Sequence, residues 1–292
     1  MHACADANER RGTMNPNWKV QLDAWLQDQS LRDLDQLGRR IDVLDQLESW
    51  LVHDALPSSS RTCGEALVTE LEAVNQQLFQ NLRQDIRHGK GADAFRTWAI
   101  SLRGPDSGES YGPLDTLISG VLDLKEPPDG IELGSEMVFY QPTPARHIFD
   151  FIEHARLAET DVVMDLGAGL GHVTLLTAIC TEARCIGIEL QPAYVASARQ
   201  CAQALQVRNA HFIAQDVREA DMSGGTVFYL YTPFTGSILR MVLDALEREA
   251  TRRVIRLCSL GPCTAVVAEE SWLKPVGACD PQRTVLFQSL RQ

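Results

Sequence analysis

The chain has 292 residues, 45% of them hydrophobic, and a formal net charge of −12. That length bounds one large or two modest domains, and the apolar fraction is that of an ordinary globular protein. No apolar run approaches the roughly 20 residues of a membrane-spanning helix, so no membrane partner is expected. The start, "MHACADANERRGT", lacks the apolar stretch of a secretory signal. Residues 1–14 read as a disordered leader, and a cytoplasmic protein is expected.

The charge is uneven. Residues 1–150 hold 24 acidic and 14 basic residues, residues 151–292 hold 15 and 13. No basic stripe of the kind that binds phosphate backbones stands out, so no nucleic-acid partner is expected. None of the eight cysteines forms a C-x-x-C pair and no Cys/His cluster has ligand spacing, which predicts free thiols and no metal site.

Residues 15–104 read as an all-α domain. Asn15 or Asn17 is placed to cap a first helix holding Trp18, Leu22 and Trp25. Leu31, Leu34, Leu37, Ile41, Leu44, Leu47 and Leu51 recur at steps of three and four, which predicts one helix across them. "PSSSRT" reads as a break. Leu67, Leu71, Val74, Leu78, Leu82 and Ile86 predict a second long helix ending near "HGKG", and Phe95, Trp98 and Leu102 a third. Residues 105–135 read as a linker with a short helix, Leu114 to Leu124, between Gly/Pro-rich loops.

The texture changes near residue 136. The helix "TPARHIFDFIEHARL" leads into apolar strands at 162–166, 185–190, 210–215, 226–231, 253–259, about 272–277 and 283–290. Helices are predicted near 171–181, 191–206 and 236–250. Strands alternating with amphipathic helices imply a mostly parallel sheet covered on both faces. Ligands of such sheets bind at the carboxyl ends of the strands.

Chemistry gathers at those ends. "DVVMDLGAGLGHV" runs a strand into Asp165, Gly167, Gly169 and Gly171, where glycines let the backbone turn tightly and approach a ligand. The spacing G-x-G-x-G is not that of a pyrophosphate fingerprint. The next strand, "CIGIEL", ends at Glu189, an acid able to accept from both ribose hydroxyls. The third, "HFIAQDV", reaches Asp216, able to accept from an adenine amino group. The fourth ends at "YLYTPF", with Tyr231 at its tip.

On "DLGAGLG", "GIEL", "AQDV" and "YLYTPF" the chain resembles the class I S-adenosylmethionine-dependent methyltransferases over roughly residues 136–292. The resemblance implies a Rossmann-like seven-stranded sheet with an antiparallel last strand, S-adenosyl-L-methionine as cofactor, and a transferase activity. It also implies cofactor contacts from Asp165, Gly167, Gly169, Gly171, Glu189, Leu190, Asp216, Val217 and Tyr231.

"FYQPTPARHIFDFIEHARL" ahead of the loop is similar to the corresponding segment of the non-SET (disruptor-of-telomeric-silencing-like) lysine methyltransferases. This implies Tyr140, Gln141 and Thr143 beside the cofactor's methionine part. Gln141 stands where that family has an acid, and Tyr231-Thr232 where it has paired asparagines. Amine methyltransferases of bases and glutamine resemble Asp/Asn-Pro-Pro-Tyr at the fourth strand's end, and Tyr231 departs from that pattern too.

Tyr231 and Tyr140 are the expected catalytic side chains, since a tyrosine hydroxyl can orient a nucleophile and accept its proton. Ser259, Cys263 and Thr264 are further candidates for the acceptor pocket. The expected acceptor is a small molecule or a protein side chain. An alternative is a cyclase or aminocarboxypropyl transferase that attacks the methionine γ-carbon and releases methylthioadenosine; a non-catalytic cofactor-binding scaffold is the third reading.

Overall fold

A computed structural model describes residues 17–52, 57–102, 111–125, 136–138, 140–280 and 282–290. The expected leader, 1–14, lies outside the described residues, as do residues 103–110 and 126–135, which hold most of the loops of the expected linker. The chain divides into two compact units, Met1–Leu78 and Phe79–Gln292, with the division inside a single helix.

In the first unit, α1 (Trp18–Gln27) and α2 (Leu37–Val52) pack with the first part of α3 (Ser58–Arg87) around Leu22, Leu31, Leu47, Leu67 and Leu71. Trp25 stacks on Trp50 at 5.2 Å between ring centroids. The continuous helix expected across Leu31–Leu51 is instead two 3-10 turns, Gln29–Arg32 and Leu34–Gln36, followed by α2. Arg40 accounts for the interruption. Its fully buried guanidinium donates to the carbonyls of Leu31, Asp33 and Leu34 and to Asn75 Oδ1 (2.7 Å), which satisfies oxygens a continuous helix would bond internally. "PSSSRT" opens α3 rather than breaking a pattern: the Arg61 amide donates to Pro57 O across the first turn.

The second unit holds the rest of α3, then α4 (Gly91–Ser101) and α5 (Pro113–Leu122). The Phe79 ring lies under Gly120, where an added Cβ would meet Cε2 at 2.2 Å. Arg83 closes α5 by donating to the carbonyls of Val121 (2.9 Å) and Gly120 (2.6 Å). Asp115 serves two helix starts. One oxygen accepts from the Gly112 amide (2.8 Å) before α5, the other from the Ala145 amide (2.6 Å) opening α6 (Ala145–Ala155).

Seven strands form one sheet: β1 (Val162–Leu166), β2 (Arg184–Glu189), β3 (Ala210–Ala214), β4 (Val227–Tyr231), β5 (Arg256–Leu260), β6 (Leu273–Pro275) and β7 (Val285–Ser289). Their order is β3-β2-β1-β4-β5-β7-β6, parallel except that β7 runs antiparallel to β5 and β6. Register sets the faces, since side chains alternate along each strand. Asp165 pairs with Gly187 and Tyr229, and Tyr229 with Cys258, so these share one face.

That face meets α6, through Phe151 against Tyr229 (5.1 Å), and α7 (His172–Cys180), through Thr174 against Asp165. Ala198 of α8 (Pro192–Leu205) lies on the same side, near Phe212 of β3. The other face carries Met164, Leu166, Ile188, Phe228, Leu230, Leu257 and Phe287. They pack on Leu239, Leu243 and Leu246 of α9 (Gly236–Ala250) and Val267 of α10 (Cys263–Ala268). This is the Rossmann-like seven-stranded sheet expected from the sequence, with an all-α N-terminal region. Among the described residues no helix is long and apolar enough to cross a membrane.

Candidate active site at the carboxyl edge of the sheet

The loop after β1 is bound to β2. Gly167 and Ala168 donate their amides to Ile188 O at 2.9 and 3.0 Å, and the Gly169 amide donates to Glu189 Oε2 at 2.8 Å. The second oxygen of Glu189 accepts from the Gln191 amide at 2.8 Å. One carboxylate therefore joins the glycine loop to the turn entering α8. Each oxygen keeps a further acceptor direction for a ligand hydroxyl.

The three glycines have φ of +85°, +53° and +87°, backbone that other residues adopt with strain. They also sit under neighbours. An added Cβ on Gly167 would lie 2.4 Å from Pro233 Cβ, and on Gly169 2.0 Å from the Tyr140 ring.

Asp165 lies at the end of β1, buried, with Oδ2 accepting from Thr174 Oγ1 at 2.9 Å. Burial raises its pKa to about 7; the nearby Glu189 charge adds to the rise and the Thr174 hydroxyl opposes it. Asp216, after β3, accepts from the Arg218 amide (2.9 Å) and pairs with its guanidinium (2.5 Å), which lowers its pKa. Val217 opens the short turn that follows and packs on the sheet core, while Leu190 is exposed beyond Glu189.

The fourth strand's end is a braced corner. Thr232 has φ +38°, a conformation few non-glycine residues adopt. Its buried hydroxyl donates to Leu260 O (3.0 Å) and accepts from the Cys263 amide (3.2 Å), tying β4 to the turn before α10. Tyr231 precedes it, half-buried, facing Gly261. Residues 136–138 run antiparallel across this corner: Thr235 donates to Glu136 O (2.9 Å) and Val138 to Pro233 O (3.3 Å). The Glu136 carboxylate caps α9 from the far side, accepting from Ser237 Oγ (2.6 Å) and the Ile238 amide (3.1 Å).

That crossing carries Tyr140 to the glycine loop. Its hydroxyl is 3.1 Å from His172 Nδ1, and its ring lies 5.1 Å from that of Tyr194. Thr143 is buried at the start of α6 and Gln141 is exposed. The Tyr229 hydroxyl is wholly buried; Thr143 stands beside it, but without hydrogen-bond geometry, and burial drives its pKa well above the ordinary value.

Ser259, Cys263 and Thr264, candidates for the acceptor pocket, are buried and engaged inward. Ser259 Oγ donates to Thr264 Oγ1 (2.9 Å), and the Cys263 thiol faces Leu260 O. Two residues not singled out as functional in the sequence, Tyr194 and His172, flank Tyr140. No motif marks Tyr194. His172 directly follows the last glycine of the loop, and that adjacency was its available signal.

Residues 157–228, which span β1 to the first two residues of β4, match the model of a family described as a methyltransferase domain. No curated protein matches the chain. Among solved structures, the RNA methyltransferase from Salinibacter ruber in complex with S-adenosyl-L-homocysteine is similar at 26% identity and a TM-score of 0.42. That similarity covers 51% of this chain and 92% of the other. An rRNA methylase from Streptococcus thermophilus is similar at 13% identity and TM-score 0.36, over 53% and 99% of the two chains. The M. jannaschii tRNA m1G37 methyltransferase is similar at 14% and 0.39, over 54% and 52%.

The expected class, an S-adenosylmethionine-dependent transferase with the Rossmann-like methyltransferase fold, is borne out. The expectation of no nucleic-acid partner is corrected: these three relatives are described as RNA, rRNA and tRNA methyltransferases. That expectation rested on the lack of a basic stripe in the linear sequence. A stripe sought along the chain does not report which charges the fold gathers beside a site.

Proposed function

We propose that the protein transfers a methyl group from S-adenosylmethionine to an acceptor presented at the carboxyl end of β4. The observation that carries this reading is the bond from the Gly169 amide to Glu189. It brings a left-handed glycine loop and a strand-end acid into one cradle, with Asp216 at the next strand end. The residues fit the cofactor: glycines that no larger residue could replace without collision, and an acid with acceptor capacity left over.

In this reading Glu189 takes the ribose hydroxyls, with Leu190 alongside, and Asp216 and Val217 take the adenine. Asp165, Gly167, Gly169, Gly171, Tyr140, Gln141 and Thr143 hold the methionine part. When bound, S-adenosylmethionine supplies a methyl carbon already activated by its sulfonium, so alignment is the protein's main task. Tyr231 orients the acceptor through its hydroxyl, which receives the acceptor's proton while passing its own to solvent from the half-buried ring, and Thr232 fixes the corner from which Tyr231 projects.

The acceptor is proposed to be a small molecule or a protein side chain. The Tyr140–Thr143 segment ahead of α6, similar to that of the non-SET lysine methyltransferases, supports the protein class. RNA, the substrate class in the descriptions of the structural relatives, joins the same assay. A second reading is attack on the methionine γ-carbon with release of methylthioadenosine. It is favoured by the tip of β4, where Tyr231, Thr232, Pro233 and Phe234 offer no carboxylate or amide side chain to orient an amine.

The test is product identification by mass spectrometry after incubation with S-adenosylmethionine, alone and with small-molecule, protein and RNA fractions. S-adenosylhomocysteine formed only with an acceptor supports methyl transfer and names the acceptor class. Methylthioadenosine formed without one supports the second reading. Absence of S-adenosylmethionine and S-adenosylhomocysteine binding by calorimetry sinks both.

A further inference from the structure

Tyr140 reaches the glycine loop on a non-helical segment, so something other than secondary structure must fix its ring. Two neighbours define its place. Gly169 lies against one edge of the ring, so close that any side chain there would overlap it. At the hydroxyl end stands His172, the first residue of α7, with Nδ1 3.1 Å from the oxygen.

We propose that His172 is the positioning residue for Tyr140: its neutral imidazole accepts the tyrosine hydroxyl proton at Nδ1 and holds the ring against the glycine loop, where it forms a wall of the cofactor site. The inference rests on the cofactor-site reading above and adds to it a residue that reading leaves without a role.

Two features keep the imidazole an acceptor. Protein surrounds His172, although some of its surface is exposed, and desolvation lowers its pKa to about 4. Its place at the positive end of α7 disfavours an added proton as well. An uncharged ring with Nδ1 bare matches a phenol, which then donates its only proton inward.

The experiment combines S-adenosylhomocysteine calorimetry with 15N NMR of the imidazole, on the full chain, with thermal melting as a check of folding. His172→Phe and Tyr140→Phe are each expected to weaken binding about tenfold, near 1.4 kcal/mol. The double variant should bind no more weakly than either single one, because both remove the same contact. His172→Asn, whose Oδ1 restores an acceptor near the Nδ1 position, should bind within about threefold of wild type. In the ligand-free protein, Tyr140→Phe should move the Nδ1 resonance.

His172→Phe binding like wild type, losses that multiply in the double variant, or an Nδ1 resonance indifferent to Tyr140 would each overturn the proposal. If the wild type binds no S-adenosylhomocysteine, the function reading fails, and the NMR arm still decides the pairing.

Discussion

The Gly169 amide and the Glu189 carboxylate, twenty residues apart, meet at 2.8 Å where β1 and β2 end side by side. Glu189 therefore has a structural duty before any ligand arrives. Glu189→Ala removes the acceptor for two buried or half-buried amides, those of Gly169 and Gln191. A stability loss of about 2–4 kcal/mol is expected, read by urea unfolding, with at least a tenfold loss of S-adenosylhomocysteine affinity. Glu189→Gln, which keeps one carbonyl oxygen, should lose less of both. Equal affinity in all three proteins would remove Glu189 from the site.

Gly169→Ala meets two obstacles, φ +53° and the Tyr140 ring 2.0 Å from the new Cβ. Destabilisation of about 2–4 kcal/mol is expected, of which about 1–2 kcal/mol is backbone strain. Adding Tyr140→Ala should relieve the steric share and leave the backbone share. A double variant no more stable than the sum of the single losses predicts would show that the ring is free to move aside.

These two sites also show what a linear sequence conveys. Asp165, Glu189 and Asp216 were legible because each ends an apolar run, and the strands themselves were legible by length and alternation. Tyr140 over Gly169, or Glu136 capping α9 a hundred residues later, depend on which strand end lies beside which. Composition and periodicity carry no such information. Arg40 is a related case: a charged residue inside a leucine periodicity looks like a solvent face, yet it is fully buried and its guanidinium bonds the carbonyls of the two 3-10 turns that stand in place of a continuous helix.

Asp165 makes stability depend on pH. Its pKa is about 7 in the folded protein and about 3.9 in an unfolded chain. Between those values the folded state holds a proton that the unfolded state has released. The stabilisation is full below about pH 4 and is lost as pH rises through 7. Asp165→Asn lacks this titration, so its stability relative to wild type should improve between pH 4 and pH 7.5. A gain of about 1–3 kcal/mol is expected from urea unfolding across that range. A difference constant with pH would mean that Asp165 titrates normally.

Thr232 combines an unusual backbone with two buried hydrogen bonds. Thr232→Val keeps the shape, leaves Leu260 O and the Cys263 amide without the hydroxyl, and retains the strain. It should cost about 1–3 kcal/mol. Thr232→Asn enters the left-handed region more readily and carries an acceptor for Cys263, so its melting temperature should lie above that of the valine variant. The reverse order would place the burden on packing.

Tyr231→Phe separates orientation of the acceptor from binding of the cofactor. If the hydroxyl orients the acceptor and accepts its proton, kcat should fall about 10²-fold or more, with S-adenosylmethionine affinity within about twofold of wild type by calorimetry. An unchanged kcat would move the proton acceptor elsewhere.

The Asp115 carboxylate and the Phe79–Gly120 contact bear on how this protein can be shortened. The change of texture near residue 136 invites a cut there, but such a cut would discard the side chain that bonds the first amide of α6. It would also discard α5 with the ring and guanidinium that seat it. Ala145–Ala155 would then begin without its cap, and the face of the sheet around Asp165 and Tyr229 would lose part of its cover. A fragment meant to isolate the catalytic unit for crystallisation or ligand screening should begin no later than Phe79, within α3, with enough of the preceding helical turn to keep that residue helical.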